Sequence, residues 1–342
     1  MGNHATENQQ EANSHTDRQP TTITVHTDCQ AFGTKSVPTV GRSVPLENTV
    51  RFEYRLVVSF YATIELHTQP NRGFQLRVTQ SVCMSYQGVI LDVDGTVVHG
   101  DEPIPGASEA LQAIEQAGCQ RVFISNNPTD PPVAYESRFE GAGLAVDREE
   151  VFTAGTVTID YLTAEHADDQ LYVIANPGFL DQLAETAIET TADPTAADAL
   201  VASLDYEFDY EQLCETVVAL QDGTPFIGTD PDILIPQSGP DVPGSGAIIH
   251  AIEGVAEREV DVICGKPSAY ARRTVLEYLE CPPEECLVVG DRLDTDITLG
   301  SDAGMSTAVV KTGITDDERL ANSSISPDYV LDSIADIETV LD

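Results

Sequence analysis

The sequence predicts an α/β protein: a Rossmann-like core built on a parallel sheet, with a second α/β unit inserted into it. From Met84 onward, short apolar segments alternate with amphipathic segments of helical spacing, which is the α/β pattern. Polar residues directly follow several of the apolar segments, as ligand-binding residues do at the carboxyl ends of strands in open α/β sheets. Residues 164–246 carry strands and helices of their own, which indicates the inserted unit.

The predicted core elements lie on both sides of the insertion. Strands are predicted at 89–92, 121–125, 262–264, 286–290 and 307–310. Helices are predicted at 106–117, 132–141, 268–279 and 294–303. The core therefore consists of residues 84–163 and 247–342.

The inserted unit, predicted at 164–246, has three apolar segments of strand length. They read LYVIAN, ALVASL and TPFIGT. Helices are predicted around 178–189 and 210–220. Strands alternating with helices again indicate a parallel sheet.

The first 83 residues differ from the rest of the chain. About the first 45 are rich in Thr, Gln, Asn and Ser, which predicts disorder. Strand-like alternation between 51 and 82, with QPNRG as a turn, indicates a small hairpin. Two interpretations stay open: an interaction arm, or sequence upstream of the true start at Met84. We favour the second, a non-native extension, and assign these residues no chemistry.

The net charge of −40 lies entirely in the predicted α/β part. Residues 1–83 contain seven acidic and seven basic residues, so residues 84–342 hold 57 − 7 = 50 acids and 17 − 7 = 10 bases. A surface this acidic repels nucleic-acid phosphates and anionic membranes, which excludes both as expected partners. Acid-rich, lysine-poor composition is typical of cytosolic proteins of salt-accumulating halophiles, where salt screens the self-repulsion.

The chain is expected to be cytoplasmic. Its longest apolar run, LVVSFYATI, is about half of a membrane span, and the first residues lack the pattern of a secretory signal. Its seven cysteines are an odd number without a CxxC pair, which indicates reduced thiols.

Polar groups follow four of the predicted core strands. They are Asp92 with Asp94, Ser125 with Asn126, Lys266, and Asp291. One such residue alone is usually a helix cap or turn residue, but four at one predicted sheet edge indicate a site. Two carboxylates as close as Asp92 and Asp94 repel each other, so something must compensate for the arrangement.

These segments resemble the four motifs of the haloacid dehalogenase superfamily of phosphatases. DVDGT (92–96) is similar to the first motif, ISNNP (124–128) to the second, GKP (265–267) to the third and GDRLDTD (290–296) to the fourth. The insertion lies between the second and third motifs, where the superfamily carries its C2-type cap. The segment 228–248 resembles the type IIA, NagD-like group in particular. The resemblance covers residues 84–342 and none of 1–83.

The resemblance implies a Mg²⁺-dependent phosphomonoester hydrolase. Asp92 would be the nucleophile that forms an aspartyl-phosphate, and Asp94 would protonate the leaving group and later deprotonate water. Mg²⁺ would be held by Asp92, the backbone carbonyl of Asp94, and Asp291, with Asp296 acting through water.

The remaining site residues follow from the same resemblance. Phosphate binding is expected from Gly95, Thr96, Ser125, Asn126 and Lys266. Candidate substrate residues of the cap are Asp205, Asp230 and Asp232. Their loops are acidic, which favours a small phosphorylated alcohol, sugar or glycolate-like compound and leaves a nucleotide open; an acidic surface adapted to salt explains them equally well.

Two alternatives to hydrolysis stay open. One is a phosphate-binding or interaction protein on the same scaffold, with residues 1–83 as its functional part. The other is a phosphotransferase. The filled catalytic positions favour the hydrolase with a small phosphorylated metabolite as partner, and homodimers formed through the cap are possible in this family.

Overall fold

A computed structural model describes residues 86–236 and 239–341, together with the backbone of four strands that precede them. These are β1 (Val44–Leu46), β2 (Thr49–Leu56), β3 (Phe60–Gln69) and β4 (Gly73–Ser81). They form a sheet in that order, in which β1 and β2 are antiparallel. The predicted strand character of 51–82 is confirmed at 51–56, 60–69 and 73–81. Of the first 45 residues, predicted to be disordered, 1–43 lie outside the described residues, and β1 begins at Val44. The centre of the predicted turn, 70–72, also lies outside the described residues, and the non-native origin of the segment stays a prediction.

The chain from residue 86 onward alternates strands and helices. The strands are β5 (Gly88–Leu91), β6 (Val98–His99), β7 (Glu102–Pro103), β8 (Gln120–Ser125), β9 (Val151–Thr153), β10 (Gln170–Ile174), β11 (Glu189–Thr190), β12 (Ala199–Ala202), β13 (Phe226–Gly228), β14 (Leu234–Ile235), β15 (Val242–Pro243), β16 (Val262–Ile263), β17 (Cys286–Gly290), β18 (Ser306–Val310) and β19 (Tyr329–Leu331). The helices are α1 (Ala107–Gln116), α2 (Pro132–Gly141), α3 (Ala154–Glu165), α4 (Pro177–Ala184), α5 (Tyr210–Ala219), α6 (Ser245–Ala256), α7 (Ala269–Leu279), α8 (Thr298–Ser301), α9 (Asp317–Asn322) and α10 (Glu338–Leu341).

The core sheet has six parallel strands in the order β9-β8-β5-β17-β18-β19. Numbered along the chain, this is the order 3-2-1-4-5-6 of doubly wound folds, and it confirms the predicted fold class. The direction of winding reverses between β5 and β17, which pair directly. A crevice for ligands is expected beyond the carboxyl ends of these two strands.

Both faces of the core sheet are buried, because side chains along each strand alternate in direction. Val89 and Leu91 of β5 face a cluster that includes residues of α1 and α2. Ile90 faces the opposite cluster, with Val275 of α7 and Leu299 of α8. Helices on both faces hold the central strands rigidly, and the carboxyl ends of β5 and β17 are fixed with them.

The inserted unit consists of the five-stranded sheet β11-β10-β12-β13-β16 and helices α4 to α6. Its strands pair in parallel. The structure differs here from the predicted boundary at residue 246. Helix α6 packs Ile249 against the second sheet, and β16 pairs with β13 instead of joining the core sheet. A buried strand has the same apolar pattern in either parallel sheet. The local sequence at 262–264 therefore could not show which of the two sheets this strand joins.

Most predicted helices are confirmed to within a residue or two. The segment predicted as a helix at 294–303 instead begins with a π-helical turn, Leu293–Ile297, and continues as the short α8. The helix predicted at 178–189 ends earlier, at Ala184, and Glu189 begins β11. Within the described ranges, no helix combines the length and apolar character needed to cross a membrane.

Gly300 is expected to be required for the packing of α8 on the core sheet. A Cβ atom there would lie 2.6 Å from Thr307 Cγ2 and 2.9 Å from Val288 Cγ2. Gly300→Ala should therefore lower the free energy of unfolding by about 1–3 kcal/mol. The measurement is the melting temperature of the full chain in about 2 M KCl, which screens the acidic surface.

Gly254→Ala is the matched control, because Gly254 also lies in a helix and has no atom within 4 Å of the added Cβ. It should raise stability by about 0.5–1 kcal/mol. A Gly300→Ala protein that melts at or above the wild-type temperature would contradict the close contact between α8 and the sheet.

Candidate active site

The ammonium group of Lys266 lies between two carboxylates at the carboxyl end of the core sheet. Its Nζ donates to Asp92 Oδ1 at 2.6 Å and to Asp296 Oδ1 at 2.7 Å. All three residues are buried. An unpaired charge in such a place costs several kcal/mol, so the lysine and the two acids depend on one another.

Asp291 joins these residues to form a buried acidic cluster. One carboxylate oxygen each from Asp92, Asp291 and Asp296 lies within 4.8 Å of the others. Asp92 follows β5 and Asp291 follows β17, the two strands at which the winding reverses. The cluster therefore lies at the sheet position where the strand order predicts a ligand.

Backbone amide groups fix two of these carboxylates. Asp291 Oδ2 accepts from Ile314 N at 2.7 Å, and Asp296 Oδ2 accepts from Arg292 N at 3.0 Å. The backbone approaches Asp291 closely at Gly95, where φ is +84° and an added Cβ would lie 2.6 Å from Asp291 Oδ2. Glycine at this position lets the chain turn away after Asp94 and leaves room for the cluster.

Burial dominates the titration of the cluster. It raises the pKa of Asp92; the charge of Lys266 lowers that pKa, and Asp296 raises it. Burial, followed by the charge of Asp296, raises the pKa of Asp291 to about 7. Burial lowers the pKa of Lys266, but the charges of Asp296 and Asp92 outweigh this effect and the net shift is upward. The lysine is therefore a fixed cation, whereas the acids favour further positive charge nearby.

Thr96 orients the nucleophile candidate. Its Oγ1 donates to Asp92 Oδ2 at 3.0 Å, so Thr96 and Lys266 each hold one oxygen of the Asp92 carboxylate. The predicted role of Thr96 in phosphate binding stays a prediction, as does that of the Gly95 amide.

Ser125 ends β8 with its hydroxyl accepting two hydrogen bonds. The donors are Tyr135 Oη at 2.9 Å and Asn127 N at 3.2 Å. A hydroxyl that accepts twice keeps its own proton for donation, which suits contact with a phosphoryl oxygen.

Asn126 holds the backbone of Lys266. Its Oδ1 accepts from Lys266 N at 2.8 Å, and its Nδ2 donates to Lys266 O at 3.2 Å. Asn126 thus positions the lysine, and the predicted direct contact of Asn126 with phosphate stays a prediction.

The side chain of Asp94 lies apart from the buried acidic cluster. Its carboxylate is 52% exposed and forms an ion pair with Arg138 of α2. This leaves the backbone of Asp94 as its only predicted contribution to a metal site, while the side chain stays accessible for proton transfer.

The three candidate residues of the inserted unit have different surroundings. Asp205 accepts from Glu207 N of its own loop and from Gln212 Nε2 of α5. Asp230 is 2% exposed and accepts from Thr229 Oγ1 and Asp232 N. Burial, followed by the charge of Asp232, raises the pKa of Asp230 to about 7. The Asp230 carboxylate is thus enclosed by its own loop, which favours a structural role over contact with substrate.

Asp232 connects the inserted unit to the core. Its Oδ1 lies 3.3 Å from Arg292 Nη1 and accepts from Asn126 Nδ2 at 3.3 Å. Because Asn126 also binds the backbone of Lys266, the Asp232 carboxylate connects the inserted unit by hydrogen bonds to two of the residues predicted to bind phosphate.

Sequence reasoning missed several residues around the site. Tyr135, Arg138 and Arg292 contact predicted residues from other elements, and a local pattern carries no sign of such contacts. The loop after β18 was missed although a signal existed. Thr312 Oγ1 donates to Gly95 O at 2.6 Å, and the polar residues Lys311 and Thr312 follow the predicted strand 307–310 just as the other site residues follow theirs.

Comparison with known proteins agrees with this geometry. The model of the haloacid dehalogenase-like hydrolases matches residues 89–189, and the HAD-hydrolase-like model matches residues 263–337. The two matches include all four motif segments. The chain belongs to the haloacid dehalogenase-like hydrolases. Within that family it is a phosphatase of the type IIA, NagD-like group.

The relatives of this phosphatase match nearly over their full length. Sugar-phosphatase AraL of Bacillus subtilis is 30% identical over 256 residues, which are 74% of this chain and 93% of the relative. The p-nitrophenyl phosphatase from Archaeoglobus fulgidus is 30% identical, with a TM-score of 0.70, over 75% of this chain and all of that chain. NagD from E. coli is 26% identical, with a TM-score of 0.66, over 73% of this chain and 98% of its own.

Mg²⁺ is expected to raise the melting temperature more at about pH 8 than at about pH 5. The pKa of Asp291 is raised from its ordinary 3.8 to about 7, so between these values the folded state binds the proton more tightly than the unfolded state. Without a divalent cation, stability should therefore fall as the pH rises toward 7. A cation that binds the ionised carboxylates should restore stability above that pH.

The measurement is a thermal melt in KCl with either EDTA or Mg²⁺ at both pH values. Asp291→Asn is the control, and it should remove most of the pH-dependent gain. An equal gain in wild type and Asp291→Asn would assign the effect to the acidic surface rather than to the cluster.

Proposed function

We propose that this chain hydrolyses phosphate monoesters of small metabolites through a phospho-aspartate on Asp92. The observation that carries the proposal is the environment of Asp92. Its two oxygens are held by Lys266 and Thr96 at the sheet position where ligands bind in doubly wound folds. A carboxylate oriented in this way can attack phosphorus without first losing a proton.

In the first step an oxygen of Asp92 forms a bond to phosphorus and the ester P–O bond breaks. Asp94 gives its proton to the departing alkoxide. Ser125 donates to a phosphoryl oxygen, and Lys266 offsets the negative charge that gathers around the nucleophile. The products of this step are the free alcohol and the acyl phosphate on Asp92.

In the second step water attacks the phosphorus of the acyl phosphate. Asp94, now ionised, takes a proton from that water. The P–O bond to Asp92 breaks, inorganic phosphate leaves, and both aspartates return to their starting states. The exposure of the Asp94 side chain favours this role, because it must meet an alcohol and then a water molecule.

The acidic cluster fits a divalent cation. Its three carboxylates are buried and close, burial raises the pKa of two of them, and carboxylate oxygens are the ligands that Mg²⁺ prefers. Asp92, Asp291 and the backbone carbonyl of Asp94 would hold Mg²⁺, with Asp296 in support. Bound there, the cation would supply positive charge opposite the phosphoryl oxygens.

The substrate class we propose is a small phosphorylated alcohol, sugar or glycolate-like compound. The relative named sugar-phosphatase AraL supports a sugar phosphate. The charges around the site agree with a substrate that has a single phosphate. Arg138 and Arg292 are each paired with aspartates, which leaves neither guanidinium as a free partner for a second anionic group.

Asp92→Asn is expected to lower kcat/KM for p-nitrophenyl phosphate by at least about a thousandfold, because an amide cannot act as the nucleophile. The amide keeps nearly the same size, so the protein should stay folded. The measurement is release of p-nitrophenol in about 2 M KCl with Mg²⁺. Asp168→Asn, which removes an exposed acid far along the chain, should leave the rate unchanged. Comparable activity in wild type and folded Asp92→Asn would refute the phospho-aspartate.

Asp232→Asn is expected to lower kcat/KM by a similar factor, about 2- to 10-fold, for every ester in a panel. Asp232 contacts Arg292 and Asn126 of the core, so its charge acts on the shared phosphate site. The panel should contain a sugar phosphate, phosphoglycolate, glycerol phosphate and a nucleoside monophosphate. A change confined to one or two esters would instead assign Asp232 to direct substrate contact.

A further inference from the structure

We infer that Arg138 is a positioning residue that sets the orientation of the Asp94 carboxyl group for proton transfer. The inference rests on the proposed function, in which Asp94 is the general acid and base. Arg138 belongs to α2, outside the four motifs. It acts through Asp94 and has no contact with the buried acidic cluster among the hydrogen bonds of the described residues.

The contact between the two side chains is specific. Arg138 Nη2 donates to Asp94 Oδ1 at 2.5 Å, while Nη1 lies 3.4 Å from Oδ2. The close contact is therefore with one oxygen. Oδ2 accepts only the longer hydrogen bond from Nη1, so it is the more weakly held oxygen and the better placed to carry a proton toward a leaving group or to accept one from water.

Arg138 is itself held in place. Its Nε donates to Gly100 O at 2.7 Å, at the turn between β6 and β7, and Nη2 donates to the same carbonyl. Its guanidinium also lies over the ring of Tyr135, 5.8 Å from the centroid. Only 20% of the side chain is exposed. The exposed Asp101 lies 4.0 Å away and adds a weak ion pair. An anchored guanidinium can define the rotamer of a carboxylate that is otherwise half exposed.

The same helix face contacts a second residue of the site. Tyr135 lies three residues before Arg138, and positions three apart share a helix face. Tyr135 Oη donates to Ser125 Oγ, so α2 holds Ser125 through Tyr135 and Asp94 through Arg138. The helix thus aligns the proton donor with the phosphate-binding hydroxyl.

The test compares two esters that differ only in leaving group. Phenolate leaves from phenyl phosphate poorly without a proton, whereas p-nitrophenolate leaves readily. Because kcat/KM reports the steps up to phosphoryl transfer, the ratio of kcat/KM for phenyl phosphate to that for p-nitrophenyl phosphate measures general-acid catalysis. Arg138→Gln should lower this ratio about tenfold, with p-nitrophenyl phosphate affected less than about threefold.

Further variants separate positioning from a structural role. Arg138→Lys keeps a positive charge but lacks the planar guanidinium group that can donate two parallel hydrogen bonds, so it should give an intermediate ratio. In an Asp94→Asn background the ratio should already be low, and adding Arg138→Gln should not lower it further. Arg273→Gln is the matched control: Arg273 also lies over a tyrosine three residues earlier, Tyr270, and it should leave the ratio unchanged.

A lower ratio in Arg138→Gln that disappears in the Asp94→Asn background supports the inference. An unchanged ratio, a raised ratio, or the same loss for both esters overturns it. If the wild type hydrolyses neither ester, the proposed function fails first. Wild-type activity on both esters with no change in the ratio overturns the positioning role alone. If Arg138→Gln does not fold, Arg138→Lys decides the question by the same ratio.

Discussion

The ammonium of Lys266 between Asp92 and Asp296 is the interaction on which the site depends. Three acids cannot stay buried at one sheet edge unless positive charge is fixed among them, since each unpaired charge there costs several kcal/mol. The core sheet brings Asp92 and Asp291 together, because β5 and β17, which they follow, are adjacent strands whose carboxyl ends lie side by side. Asn126 supplies the position of the lysine by binding its backbone on both sides. Fold, charge balance and chemistry are thus linked through one side chain.

The sequence was informative wherever function depends on residues that are close along the chain. Asp92 and Asp291 directly follow strands and Ser125 ends one, and the sheet order brings these strand ends together. It was uninformative wherever a partner comes from another element. Arg138 looks like any other helix residue until α2 is placed beside the first motif. Likewise, β16 looks like a core strand, and only its pairing with β13 assigns it to the inserted unit.

The acidic residues of this chain do not form a single class. Among the described residues, most of the excess charge is on exposed side chains, where salt screening reduces its effect. In the sequence, Asp230 and Asp232 could equally belong to this salt-adapted surface. In the structure, Asp230 is enclosed by its loop and Asp232 contacts Arg292 of the core. Composition counts both kinds equally, whereas burial and partners separate a charge that keeps the surface hydrated from a charge that holds two parts of the protein together.

The path by which the chain leaves the inserted unit has a consequence for recombination between relatives. Lys266 follows β16 by only a few residues, and Ser268 then caps α7. The return junction of the insertion is therefore also a segment of the candidate active site. A chimera that received a foreign insertion would have to join upstream of Gly265 and keep Asn126 opposite Lys266. Exchange of whole inserted units, a simple route to new specificity, is thus restricted to crossover points that preserve this lysine.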